Sequence, residues 1–394
     1  MLGLSLETRL PSSASVRPLC DPPLVNAGNL LGARSGHDMM IPGLLRFNAK
    51  LRRLWPRTRP VGLILLYHRV ATPAIDPQLL SVTPERFAAH MAYLSSHFDV
   101  VSLHELVSRL PEAGAGSRLA AVTFDDGYAD NLSHAKPILE AGKVPATVFV
   151  ATAALATGSA FWWDEVEQLL LHPSWLPSSL KLEIDGRIFE WDIGDDAKYT
   201  NEDFASHRTW NVLHADDPTR RHHLYRALCR LLKPLTQETR QRALSDLRAW
   251  AGLTLDRRPP SPMLTRENLC RLAEGPWVEL GAHTRSHQVL ADLPLAAQRN
   301  EIVSSKECLE AIAGRPITTF AYPYGTRADY SQDTAKLVRE AGFALACSNY
   351  PEAVTRTADV YQLPRFVVRN WTAERFARTL AAWWDGSVEE QGDR

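Results

Sequence analysis

The chain reads as an α/β protein, a parallel sheet or barrel with helices outside it, carrying a mainly helical insertion. Three observations carry this reading. From residue 61 onward, short apolar runs of strand length alternate with amphipathic stretches, the rhythm of repeated β–α units. That rhythm breaks between residues 159 and 261. The composition, 45% hydrophobic and 23% charged over 394 residues, is that of a globular chain long enough for one large domain with an insertion, or for two domains.

Residues 1–59 form a disordered and basic extension. The first 40 or so are rich in Ser, Pro, Gly and Asn without a sustained period, and Met39 or Met40 is an alternative start. The stretch IPGLLRFNAKLRRLWPRTRP then holds Arg46, Lys50, Arg52, Arg53, Arg57 and Arg59 and no acidic residue. A solvated basic helix is the plain reading of it, and a weak peripheral contact with anionic membrane lipid the functional one.

Residues 60–158 make the first part of the barrel. A buried strand is expected at 61–67. A helix begins at Thr83-Pro84-Glu85, with Thr as N-cap and Pro at the first helical position. A strand at 119–124, a helix at 131–141 and a strand at 146–151 follow. Within the insertion, 159–261, FWWDEVEQLLLH is helical and KLEIDGRIFEWDI is a hairpin turning at Asp185-Gly186; polar helices rich in His and Arg come next. Residues 262–384 resume the barrel with a helix from Thr265, a strand at 278–280, a helix at 295–313 and a strand at 318–322. A helix at 331–341, the segment LPRFVVR and a helix from Thr372 complete it, and 385–394 form a tail.

Several function classes are disfavoured at this stage. A formal net charge of −1 supplies no field for nucleic acid. No apolar run approaches the roughly 20 residues of a membrane span. The N-terminus lacks a charged segment leading into a long apolar one, so the expected location is cytoplasmic, with the inner membrane face as a peripheral option. Cys20, Cys229, Cys270, Cys308 and Cys347 are scattered and read as reduced thiols.

Three motifs stand where strands end, the usual seat of chemistry in such folds. In Thr123-Phe124-Asp125-Asp126-Gly127, adjacent carboxylates point in different directions, so one can bind a metal while the other stays free as a base. Gly127 permits the sharp turn. A DDG turn is also ordinary loop chemistry. In His283-Thr284-Arg285-Ser286-His287, a helical turn would let two imidazoles reach one cation; two surface histidines are the plain alternative. Together the motifs offer one carboxylate and two imidazoles, a set suited to Zn²⁺ with open positions. In Phe320-Ala321-Tyr322-Pro323-Tyr324-Gly325, Pro323 and Gly325 fix a turn whose N–H groups can face an oxyanion.

TFDDG, then H-[ST]-x-x-H, then a Pro-Tyr-Gly turn resembles the polysaccharide deacetylase family, with its NodB homology domain of the carbohydrate esterase family 4 kind. The resemblance covers residues 60–158 and 262–384 and implies a distorted (β/α) barrel. It makes Asp125 the general base, Asp126, His283 and His287 the metal ligands, and the Tyr324 N–H an oxyanion donor. Two departures stand out. Ala321 replaces an Arg that usually supports the base, and no histidine follows His287 to act as general acid. The segment Tyr67-His68-Arg69-Val70 looks like a rearranged branch of the family in which His68 is that acid. Arg365, in LPRF, is placed to supply the missing guanidinium.

The resemblance implies a metal-dependent hydrolase that removes N-acetyl groups from an amino sugar in a polysaccharide, oligosaccharide or glycan precursor. Zn²⁺ is the first choice of divalent metal, with Co²⁺, Ni²⁺ or Fe²⁺ compatible. The alternatives are an amidohydrolase of small non-sugar amides and a non-catalytic carbohydrate-binding relic. A glycosidase would set two carboxyl groups about 5–10 Å apart and need no paired histidines. Trp162 and Trp163 read as core anchors more than as sugar-stacking faces, and Asp164, Asp192, Asp195 and Asp196 as a solvated face.

Overall fold

The computed structural model describes residues 60–387 apart from 115, 157, 159 and 254–261. The extension with its basic stretch and lipid contact, Cys20 and most of the tail lie outside the described residues.

One sheet of eight strands, all in parallel register, forms the centre. Its members are β1 (Gly62–Tyr67), β2 (Asp99–Val100), β3 (Leu119–Phe124), β4 (Ala146–Val150), β5 (Val278–Ala282), β6 (Thr319–Ala321), β7 (Leu345–Cys347) and β8 (Phe366–Val367). The order across the sheet is β7-β6-β5-β4-β3-β1-β8, with β2 against the start of β3. Every residue of β1 (GLILLY), β3 (LAAVTF) and β4 (ATVFV) is buried, as strands covered on both faces require.

The sheet curls back on itself through the segment that leads into β8. Leu363 N donates to Ala346 O and Ser348 N to Leu363 O, each at 2.9 Å. That segment lies against β7, while β8 pairs with β1 through Leu65↔Phe366 and Leu66↔Val367. The result is a distorted (β/α) barrel, as expected.

The helices begin where short polar side chains meet bare N–H groups. Thr83 accepts from Arg86 N at 3.4 Å and opens Pro84–His97; Thr265 accepts from Asn268 N at 3.3 Å and opens Arg266–Leu272. Leu295–Ala313 matches its expected bounds and stops at Gly314, whose φ of 63° ends the ladder. One element departs from a plain α-helix. The stretch expected at 131–141 starts as a π turn, Asn131–Ala135, before Lys136–Gly142. Pro137 has no N–H to give to Ser133, and Lys136 N bonds Asn131 O instead.

The insertion keeps an apolar cluster of its own, built from Trp162, Leu170, Leu182, Leu224, Leu228 and Leu244 among others. The helix Trp162–Leu171 is followed by the hairpin Ser179–Ile184 and Arg187–Asp192. Its turn falls at Asp185 and Gly186, both left-handed with φ of 49° and 75°. The helices Asn201–His207, Arg220–Leu232 and Gln237–Ala251 complete it. Among the described residues no helix is long and apolar enough to cross a membrane, and Cys229, Cys270, Cys308 and Cys347 are free thiols.

Candidate active site

Strand register brings the motifs together. Tyr67 pairs with Phe124, so His68 and Asp125 leave neighbouring strands side by side, and Asp125 N donates to Tyr67 O at 3.0 Å. Phe320 pairs with Ala282, which sets His283 beside Ala321. All these residues lie at the C-terminal ends of β1, β3, β5 and β6, where one cavity of about 470 Å³ opens, within the range usual for ligand clefts.

Asp125 and Asp126 face different ways. Asp126 (φ 75°) and Gly127 (φ 83°) take left-handed backbone, and a Cβ on Gly127 would meet Val150 Cγ1 at 3.0 Å. Only glycine fits that turn. Asp125 is 4% exposed and turns to Arg365, which donates through Nη1 to Oδ1 and through Nη2 to Oδ2, each at 2.7 Å. Burial would raise the pKa of this carboxyl, but the guanidinium outweighs it and holds the value at about 2. Arg365 has no exposed surface. Its Nε donates to Ser348 O at 2.7 Å and its cation lies 5.5 Å from the centre of the Phe149 ring. Gly281 makes room for that ring, since a Cβ there would stand 2.3 Å from it.

Asp126 turns instead to the histidines, with its Oδ1 3.2 Å from His287 Nε2 and 3.6 Å from His283 Nε2. His283 Nδ1 bonds Ala321 O at 2.7 Å. A carbonyl only accepts, so Nδ1 carries the proton and Nε2 presents its lone pair to the site. Burial lowers the pKa of both imidazoles, that of His287 to about 3, which keeps them neutral and able to ligate. Asp126 Oδ1 is buried without a hydrogen-bond partner. Donor atoms around a tetrahedral ion at 2.0–2.1 Å are about 3.4 Å apart, and the three atoms here lie within 4.8 Å of one another. The residues fit a divalent metal ion.

The two histidines do not share a helical turn, contrary to the expectation for H-x-x-x-H. Thr284 and His287 are left-handed, with φ of 62° and 54°, and the loop bends around Glu301. Glu301 Oε2 accepts from Arg285 N (3.0 Å) and Ser286 N (2.8 Å), and its Oε1 accepts from Ser286 Oγ (2.7 Å). Three charge-assisted bonds hold this conformation against its strain.

His68 lines the same cavity. Burial lowers its pKa and the Asp126 and Asp125 carboxylates oppose that shift. Tyr324 is left-handed at φ 59° between Pro323 and Gly325, and its backbone N–H makes no hydrogen bond within the described residues. Trp162 and Trp163 are buried as expected of core anchors, yet both also line the cavity.

The model of the family described as polysaccharide deacetylase matches residues 113–176 and 255–346. Over those residues, about two-fifths of its length, the chain resembles the polysaccharide deacetylase family. The Bacillus subtilis (strain 168) protein YxkH, whose name places it provisionally among polysaccharide deacetylases, is 27% identical over 102 residues. That alignment takes in 26% of this chain and spans about a third, 35%, of the relative's length. In structure, the chain is similar to the Streptococcus pyogenes deacetylase PplD solved with acetate: TM-score 0.50 at 16% identity, over 81% of this chain and 98% of that one. It is also similar to IcaB from Ammonifex degensii: TM-score 0.48 at 18% identity, over 82% and 97%.

The family match takes in Asp125, Asp126, His283, His287 and Tyr324 but neither His68 nor Arg365. Those two reach the site by register alone. Asp164, expected on a solvated face, is 6% exposed. Tyr128 Oη donates to its Oδ2 and Trp163 Nε1 donates to Tyr128 Oη, each at 2.9 Å. The chain ends on the Trp163 ring, 5.2 Å from the His287 ring. Asp192 and Asp195 are exposed and Asp196 partly so. Sequence reading missed Glu301, the Tyr128–Asp164 pair and Arg369, which also lines the cavity. A Glu on the helix after a His-rich loop was the one signal available for the first of these.

Proposed function

We propose that this chain is a metal-dependent hydrolase that removes an N-acetyl group from an amino sugar. The observation that carries the reading is one cavity lined by an ionised, arginine-clamped carboxylate (Asp125), a metal-fitting Asp126–His283–His287 set and a third histidine, His68. Asp126 Oδ1 and the Nε2 atoms of His283 and His287 would hold the ion. Bound there, the ion would polarise an amide carbonyl and acidify a water.

The chain's own groups account for the rest of the reaction. Arg365 aims Asp125 and keeps it charged, so that it accepts the proton of the attacking water. The Tyr324 N–H offers a hydrogen bond to the oxygen that gains charge. His68, when protonated, hands that proton to the nitrogen that leaves, its charged form favoured by the Asp126 and Asp125 carboxylates against burial; an amine leaves poorly without one. Trp162 and Trp163 narrow the cavity and present ring surface to a pyranose.

The test is acetate release by the zinc-loaded protein from free chito-oligomers, nucleotide-linked and lipid-linked N-acetyl sugars. Asp125→Asn is expected to lose about 10²–10⁴-fold in turnover while still binding one equivalent of metal. No release from any substrate by metal-loaded protein would sink the reading.

A further inference from the structure

We propose that the amino sugar taken by this cavity carries an anionic group, a phosphate ester or a neighbouring carboxylate, seated against the wall that the insertion contributes. The proposal rests on the deacetylase reading for the identity of the sugar and on the charge of the wall for the anion.

Arg226, Arg230 and Lys233 recur at i, i+4 and i+7 along Arg220–Leu232 and the residue after it, one face of a helix. All three line the cavity, and Arg369 lines it from the barrel side, beyond β8. Against these four cations the lining holds two carboxylates, Asp125 and Asp126. The first is engaged by Arg365 through both oxygens, and the second faces the histidines.

Two of the cations are braced from behind. Asp217 receives Arg226 Nε at 3.0 Å and Nη2 at 2.8 Å, while Arg226 also donates to Val212 O and His214 O. Asp329 accepts from Lys233 Nζ at 3.1 Å, and the ammonium stands 4.2 Å from the centre of the Tyr324 ring. Neither Asp217 nor Asp329 is on the lining. Such bracing fixes where these two cations stand and offsets their charge, so the uncompensated positive charge on this helix face lies with Arg230. Arg230 is exposed and forms no ion pair among the described residues.

A neutral glycan filling this cavity would strip water from that wall and return only weak hydroxyl contacts, a net cost. A phosphate or carboxylate placed there meets planar guanidinium groups and an ammonium in charge-assisted bonds, about twice as strong as neutral ones.

The experiment is calorimetric binding of three ligands to the metal-loaded full chain. They are glucosamine, glucosamine 1-phosphate and a glucosamine–glucuronate disaccharide, none of which has an acetyl group to lose. At least one anionic ligand is expected to bind about tenfold tighter than glucosamine at low salt, with the gap shrinking as salt screens it. The winner separates phosphate from uronate. Arg230→Glu removes the preference, whereas Lys181→Glu on the hairpin leaves it intact. Equal binding of the three ligands overturns the proposal. So does a preference that survives Arg230→Glu, because the anion then sits on the metal. Acetate release from the N-acetylated forms is measured alongside. Charge-dependent binding without release from any sugar leaves the anion site standing and sinks the deacetylase reading; equal turnover of neutral and anionic sugars with no binding preference does the reverse.

Discussion

Arg365 in the barrel and Arg221 in the insertion are both wholly buried, and their partners differ in kind. Arg221 donates only to backbone carbonyls: Nε to Asp196 O, Nη1 to Leu170 O and Pro173 O, and Nη2 to Ala197 O. These acceptors lie near the end of Trp162–Leu171 and in the turn Gly194–Ala197, where Ala197 O also accepts from Leu176 N at 2.8 Å. Arg240 treats the end of Arg220–Leu232 in the same way, through Leu232 O, Lys233 O and Leu235 O. With no carboxylate bonded to it, burial lowers the Arg221 pKa to about 10. Burial also pulls on Arg365, but Asp125 reverses the effect and raises it. The same side chain ties elements together in one region and holds a cavity-lining carboxylate ionised in the other. What separates structural from functional arginine here is the partner, not the burial.

Replacing each arginine by Met is the sharpest way to break that contrast. Arg365→Met strands a buried carboxylate, and a loss of about 3–5 kcal/mol in urea unfolding is expected, with turnover lost even in the fraction that folds. Arg221→Met leaves carbonyls unsatisfied and also lowers stability, by about 1–3 kcal/mol for each acceptor not re-hydrated. Its folded fraction should keep the parent kcat. An equal fall in kcat for both variants would erase the distinction.

Ion removal sharpens the comparison at the next scale. An ion present at a hundredfold excess over its Kd adds about 2.7 kcal/mol to the folded state. Chelation should therefore cut amide-exchange protection around residues 125–127 and 283–287 before it touches Gln237–Ala251. Uniform loss across both regions would mean that they unfold as one unit.

Acid treats the two regions alike. Burial lowers His90 in the barrel and His222 in the insertion to about 4, from an ordinary 6.5. Each folded pKa lies below the unfolded one, so the unfolded chain binds more protons between those values. The stabilisation is full above about pH 6.5 and is lost as pH falls towards 4, on the order of 2 kcal/mol for each histidine at pH 5. His90→Gln and His222→Gln should each flatten the fall of Tm with acid, and an unchanged slope would rule the assignment out.

Much of this was legible in the chain itself, for reasons that particular residues make plain. Thr83-Pro84 and Thr265 announce helix starts because their hydroxyls serve nearby N–H groups. GLILLY and LAAVTF announce strands because both of their faces are covered. Asp125, Asp126, His283 and His287 were readable because strand-end motifs put reactive groups on the shortest path to the barrel mouth. Glu301 was not, since its role depends on a helix packing under a loop that precedes it in the chain. Asp164 looked solvated in sequence because its partner, Tyr128, lies 36 positions away. The left-handed turns at Thr284 and His287 escaped because nothing near them in sequence demands them and β-branched Thr disfavours them; long-range bonds to Glu301 hold the loop between them.

Asp125 and its guanidinium stand 240 positions apart, and Arg365 belongs to the segment that closes the barrel. A chain growing on the ribosome folds from its N-terminal end. It therefore holds Asp125, Asp126, His283 and His287 well before the arginine emerges. Until then β1 and β7 are open sheet edges and Asp125 is an ordinary wet carboxylate. Barrel closure and the clamping of Asp125 are thus one event in time, a built-in delay that leaves this carboxylate unaimed in a half-made chain.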